Sequence, residues 1–332
     1  WSRVLVPHLT AAPARPLGGV AHALAGETMG TTWSVKLTAQ PAADLPGLTA
    51  LVQRALDRVV AEMSPWAPLS SLSRYNRSAP ASWTRLPPGL TTVLRRALEI
   101  AQATDGAFDP TLGALTDLWG FGPRPFTGQP PSPDSVEAAR RLGGWKRLTL
   151  DGDVLFQPGG LKLDLNGIAK GYGVDQAAAT LERAGVKAYL VEVGGELRGS
   201  GARPDGQPWW VELERPPQMA ANDTPRTLVA LHGLAVATSG DYRRFFDHGG
   251  RRYAHTLDPA TGAPNDRGVV SVTVLAQTGM DADAWATALT VMGPDAALAF
   301  ATRQDLPALI VSRAAGGVEE RLSPALTAML DG

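Results

Sequence analysis

The sequence predicts an α+β protein with mixed, mostly antiparallel sheets flanked by helices, and three observations predict it. Short runs that alternate apolar and polar residues, such as Trp33–Leu37 (WSVKL), read as strands. Leu48–Met63 instead spaces Leu51, Val52, Ala55, Leu56, Val59 and Val60 as one apolar helical face. Thirty-six glycines and 27 prolines in 332 residues divide the chain into many short elements joined by turns.

Composition narrows the class further. A hydrophobic content of 44% and a charged content of 19% are those of a soluble globular protein with a sizeable core. The net charge of −1 gives no basic footprint, so nucleic acid is not an expected partner. Cysteine is absent, which excludes disulfides, thiol chemistry and cysteine metal sites. No apolar run approaches the roughly 20 residues of a membrane span. Residues 1–25, with Pro7, Pro13 and Pro16, read as an N-terminal extended arm without a signal-like apolar run, and 26–332 as the folded domain.

In order, Trp33–Leu37 is a strand, Leu48–Met63 a helix and Trp66–Asn76 an irregular polar loop. Thr91–Thr104 is a second helix, closed by Asp105 and Gly106. A proline-rich segment, Pro123–Pro133, leads to a short helix over Ser135–Leu142 and a hairpin over Lys146–Phe156. Leu161–Asp175 (LKLDLNGIAKGYGVD) is the stretch around which the chain is organised. Its Leu161, Leu163 and Leu165 alternate as a strand, Gly167, Gly171 and Gly173 surround Lys170, and Val174–Ala184 reads as a helix capped by Gly185. Strands follow at Ala188–Val193, Trp209–Leu213, Thr227–Leu231 and Leu234–Thr238, with a polar insertion over 216–225. Arg252–Leu257 enters a turn at Asp258–Gly262. Strand Val269–Leu275, helices Asp281–Met292 and Ala296–Arg303, and strand Ala308–Ser312 complete the pattern.

Three groups carry possible chemistry. A glycine-rich turn with one lysine at a helix N-terminus offers backbone N–H groups and positive charge to an anion. Many such turns only join strand to helix. Asp283 and Thr287, four residues apart on one helical face, can give two hard oxygens to Mg²⁺, and equally can be a helix-start acid and a core threonine. His255, one of five histidines, stands where it can act as a base or serve as hydrogen-bonded structure. Ser239 lacks the GxSxG nucleophile elbow.

The ordered combination is more specific than any of its parts. Thr28–Thr31 (TMGT), Met63–Arg74 with Asn76, Phe108–Thr111 (FDPT), Leu118–Gly122 (LWGFG) and Asp164–Gly171 (DLNGIAKG) resemble the ApbE family of FAD:protein FMN transferases. Gly194-Gly195, Ala237–Gly240 (ATSG), His255–Gly262 (HTLDPATG) and Asp283–Leu289 (DAWATAL) continue the resemblance in order, over roughly residues 26–315.

The resemblance implies two intimately packed lobes with a flavin cleft between them. It implies a Mg²⁺ site made by Asp283, Thr287 and the carbonyl of Ala169. It places Met29 and Trp66 against the flavin and Lys170 near the FAD phosphates, makes His255 the base, and assigns Asp109, Asp164, Gly167, Gly171, Gly195 and Ser239 to FAD binding. Two departures stand out: tryptophan at 66 where the family often has tyrosine, and asparagine at 166 where it usually has glycine. The implied reaction is transfer of FMN from FAD to a Thr or Ser hydroxyl of an acceptor flavoprotein, with AMP released. The alternatives are a Mg²⁺-dependent FAD pyrophosphatase and a non-catalytic FAD storage protein. The expected location is periplasmic or exported, with the cytoplasm as alternative, and membrane contact only through the acceptor or a lost lipid anchor.

Overall fold

A computed structural model describes residues 2–8, 13, 14, 16–219 and 226–331. Residues 220–225 of the expected insertion lie outside the described residues. Among the described residues, eight strands form one open sheet: β1 (Val20–Thr28), β2 (Thr31–Ala39), β3 (Tyr189–Val193), β4 (Glu196–Ser200), β5 (Leu234–Gly240), β6 (Val269–Ala276), β7 (Ala308–Ala314) and β8 (Gly317–Leu322). Every neighbouring pair is antiparallel, and the spatial order follows the chain order. The α+β expectation holds. Strand β8 has no counterpart in the sequence reading because its polar run, GVEERL, lacks an apolar alternation.

Period-two burial gives the sheet two apolar faces. On one, Trp33, Val35, Tyr189 and Val191 pack against helices α1 (Leu45–Met63) and α3 (Ala169–Arg183). Val272, Val274 and Ile310 meet helices α4 (Gly279–Met292) and α5 (Pro294–Arg303), and helix α2 (Pro88–Ala103) joins the same cluster. On the other face, Leu275, Leu309 and Val311 contact Leu5, Val229 and Leu231 of a small sheet, in which Ser2–Leu5 runs parallel to Arg226–Leu231 and Trp209–Glu212 antiparallel to it. Ser2–Leu5 of the expected N-terminal arm is therefore docked as a strand. The arm's expected boundary at 26 falls inside β1, which pairs with β2 along its whole length.

Between α1 and α3 the chain builds a second lobe from α2, the helices Ser71–Asn76, Gly113–Leu118 and Pro133–Leu142, and a three-stranded sheet of Ser82–Arg85, Val154–Gln157 and Leu150–Asp151. Leu72, Tyr75, Leu90 and Leu155 of this lobe share one buried cluster with Val272 and Trp285 of the sheet lobe, which is why the two pack intimately. No described helix is long and apolar enough to cross a membrane.

The organising stretch differs from its sequence reading in two ways. Leu161, Leu163 and Leu165 are buried as the alternation requires, yet the stretch forms only an isolated parallel bridge, Lys162 with Leu112, and side chains take the backbone groups of Leu161 and Leu163. Gln157 Oε1 accepts from Leu161 N (3.2 Å), and Asn76 both accepts from Leu163 N (2.8 Å) and donates to Leu163 O (3.0 Å). The helix also starts at Ala169, so Gly171 and Gly173 lie inside it and not in the turn. A Cβ at Gly171 would collide with the carbonyl of Gly279, so the missing side chain lets α3 and α4 touch backbone to backbone. The two helices also cap each other. Asp175 of α3 accepts from Gly279 N (2.8 Å) and Met280 N (2.9 Å), while Asp283 of α4 accepts from Gly171 N (3.0 Å).

Candidate active site

The start of α3, the end of β5 and the middle of α4 converge where the two lobes meet, and they wall a cleft. Asp109, Asp164, Gly167, Lys170, Ser239, His255, Asp283 and Thr287 all line it. Sequence reasoning had placed these residues together only through their motifs. They stand on separate elements, brought together by the α3–α4 contact and the sheet register.

The carboxylate end of the cleft is built on α4. Asp283 is 4% exposed, and burial raises its pKa against the opposing charge of Lys170. One turn on, Thr287 Oγ lies 3.3 Å from Ser239 Oγ and 3.5 Å from the carbonyl of Gly167, to which it donates. The carbonyl that Thr287 reaches is that of Gly167, and Ala169, whose carbonyl the resemblance assigns to the metal, opens helix α3 two residues on. The donor set is a carboxylate, two hydroxyls and a carbonyl. All are hard oxygens, which suit Mg²⁺, an ion that takes few protein ligands and keeps sites for water or phosphate. No cluster of three His, Cys, Asp or Glu side chains occurs among the described residues, so a bound ion would draw its remaining ligands from substrate or solvent.

Lys170, on the first turn of α3, forms an ion pair with Glu196. Burial lowers the lysine's pKa, but the Glu196 and Asp283 charges outweigh it, so the ammonium is held above its usual range. Glu196 is 1% exposed, and its carboxyl is pushed up to about 7, mainly by burial and against the pull of Lys170. Arg243 adds a second cation to the cleft wall, paired with Glu214 and donating to Gly194 O at 3.2 Å. Neither Glu196 nor Arg243 was singled out in the sequence. The available signal was a carboxylate directly after the Gly194-Gly195 turn.

His255 follows a hairpin made of Phe245–His248 and Arg251–Ala254. Its Nδ1 lies 3.2 Å from the carbonyl of Arg244, which can only accept, so Nδ1 carries the proton and Nε2 keeps its lone pair. Burial, with the nearby charges of Arg244, Lys170 and Arg243, lowers the imidazole pKa to about 4, although the backbone hydrogen bond opposes the shift.

Other expected residues hold the cleft's frame. Asp109 spends both oxygens on Thr111 N (2.8 Å), Thr111 Oγ (2.6 Å) and Trp145 N (3.1 Å). Asp164 accepts from Thr116 Oγ and from Asn166 N (2.9 Å), and Asn166 is not among the residues with positive φ, so the turn does not require glycine there. Gly195 has φ +101°, and a Cβ on it would press on the Arg243 guanidinium. Met29, at φ 50°, occupies the β1–β2 turn and packs toward Gly173 rather than lining the cleft. Trp66 stands outside the cleft lining, 47% exposed, with the Arg244 guanidinium 5.7 Å from its ring centroid. A second chamber, sharing Thr116, Asp164 and Asn166 with the first, is lined also by Pro65, Arg77, Arg124 and Lys162.

Fold and site together define an α+β protein whose cleft brings together cations, a helix N-terminus and a hard-oxygen corner, the chemistry suited to an anionic group. The chain belongs to the ApbE family, whose model matches residues 29–310. It is 38% identical to the FAD:protein FMN transferase of Vibrio cholerae serotype O1 over 302 residues, covering 90% of each chain. Among solved structures, the apo form of Pseudomonas stutzeri flavinyl transferase ApbE superposes with a TM-score of 0.87 at 36% identity, covering 95% of this chain and 98% of that one. The flavin transferase ApbE of Vibrio cholerae gives 0.87 at 36% identity, covering 93% and 99%.

Proposed function

We propose that this protein transfers the FMN moiety of FAD to a Thr or Ser hydroxyl of an acceptor protein, with AMP as the leaving group. One observation carries the reading: a single cleft joins a histidine with a free Nε2, a lysine at a helix N-terminus and the Asp283–Thr287–Gly167 oxygen set. The relatives named above as FAD:protein FMN transferases support it.

The diphosphate lies against Lys170 and the α3 N-terminus, which neutralise its charge without reorganising during the reaction. His255 Nε2 takes the proton of the acceptor hydroxyl. The hydroxyl oxygen bonds to the FMN-side phosphorus, and the bond to the bridging oxygen breaks, its electron pair leaving with AMP. Asp283, Thr287 and the Gly167 carbonyl would hold Mg²⁺, which when bound supplies further neutralisation of the phosphate oxygens. The two chambers share Thr116, Asp164 and Asn166, and a dinucleotide would extend into both from the diphosphate.

Incubation with FAD, Mg²⁺ and a Thr-containing acceptor protein, read by intact mass and AMP release, tests this reading. An FMN adduct on the acceptor with stoichiometric AMP is expected. Free FMN with AMP would replace it by pyrophosphatase activity, and intact FAD by storage.

Trp66, outside the cleft lining, gives a separate check. Its exposed indole is expected to quench on FAD addition, and Trp66→Ala to weaken FAD binding by about 0.5–1.5 kcal/mol, the worth of one aromatic contact. Unchanged affinity in titration calorimetry would assign Trp66 to holding Arg244 alone.

A further inference from the structure

We propose that Glu196 is a positioning residue that keeps Lys170 away from Asp283, leaving the Asp283 carboxylate free to hold a metal ion. The inference rests on the metal reading above and deepens it.

Glu196 opens β4 immediately after the turn at Gly194 and Gly195, whose φ values of +60° and +101° fold the strand back on β3. This turn places a carboxylate inside the cleft wall, where the side chain is nearly sealed from solvent. One oxygen, Oε1, pairs with Lys170 Nζ. The other, Oε2, is buried and finds no hydrogen-bond partner among the described residues. A buried carboxylate with an unsatisfied oxygen is unfavourable, and apolar replacements of buried ion pairs are often neutral or stabilising. Stability therefore does not explain the residue.

Its surroundings do. Asp283 accepts from the backbone N–H of Gly171, the residue after Lys170, so the two carboxylates flank one lysine. The ammonium feels both charges yet makes its ion pair with Glu196. A lysine is a point charge on a flexible four-carbon stem. Without Glu196 the ammonium would turn to the remaining carboxylate, Asp283, and compete there with a divalent cation. Arg243 already engages Glu214 and the Gly194 carbonyl, so it does not take over the role.

The test is Mn²⁺ binding to the full chain without FAD, followed by electron paramagnetic resonance, with thermal unfolding as the folding control. Glu196→Gln is expected to weaken Mn²⁺ binding about tenfold or more, equivalent to roughly 1.4 kcal/mol. Adding Lys170→Met to that variant should return affinity to within about threefold of wild type, because the competitor is gone. Glu196→Asp, which keeps the charge, should also stay within that range. Should Glu196→Gln fail to fold, Glu196→Ala, which buries no unsatisfied amide, gives the same comparison. Unchanged Mn²⁺ affinity on loss of the Glu196 charge, or no recovery when Lys170 is also removed, would overturn the proposal. A wild-type protein that does not bind Mn²⁺ would remove the metal reading itself.

Discussion

His255→Ala is expected to lower FMN transfer by about 10²–10⁴-fold, the usual contribution of a general base, while FAD affinity stays within a few-fold. At about 1.36 kcal/mol per decade, that is a loss of roughly 2.7–5.4 kcal/mol of transition-state stabilisation. The physical basis is the tautomer: the Arg244 carbonyl fixes the proton on Nδ1, so only Nε2 can accept. A pKa lowered to about 4 keeps that nitrogen unprotonated throughout the neutral range. An unperturbed histidine would be half protonated near pH 6.5. The shift is downward, so the base should be lost on acidification only well below that value. In the free protein, the imidazole resonance missing from the His255→Ala spectrum should show no titration between pH 7 and 5. Titration near 6.5, or near wild-type transfer by the variant, would take His255 out of the mechanism.

Asp283→Ala is expected to abolish metal-dependent turnover, because the only carboxylate of the oxygen set disappears. It should also reduce stability by about 1 kcal/mol, the typical worth of a capping acceptor, since the Gly171 N–H in the first turn of α3 loses its partner. Asp283→Asn separates the two effects. Its amide oxygen can still accept from Gly171, so denaturant unfolding should return toward wild type while Mg²⁺ dependence does not. Turnover in Asp283→Ala that still responds to Mg²⁺ would place the metal elsewhere. Wild-type turnover unaffected by chelator would dispense with it.

Much of this was legible in the chain. The long helices announced themselves by apolar spacing and Trp33–Leu37 by alternation. The short helix Ser71–Asn76, by contrast, lies in a stretch that reads as an irregular loop, and strand Val20–Thr28 largely in one that reads as an extended arm. The Asp283–Thr287 pair followed from helical geometry, with four residues returning to the same face. What misled was local. Glycines at 171 and 173 look like a turn in sequence, but in the structure they are a helix face shaved flat for a neighbour. Leu161–Leu165 alternates like a strand because its leucines are buried, yet burial pattern does not say which groups satisfy the backbone: here Asn76 and Gln157 serve Leu163 and Leu161, and the backbone of Pro110 and Gly113 serves Asp164 and Lys162.

The sequence alone determined the α+β class, the residues competent for acid–base and cation chemistry, and the order of motifs that resembles the family. The tertiary structure decided which of those residues share a cleft, because that depends on the α3–α4 backbone contact and on register between distant strands. It alone brought the Gly167 carbonyl to Thr287, set His255 well below its usual pKa, and paired Lys170 with Glu196. Each of these is a matter of distance and burial between segments far apart in the chain, and a linear pattern of residue types carries neither.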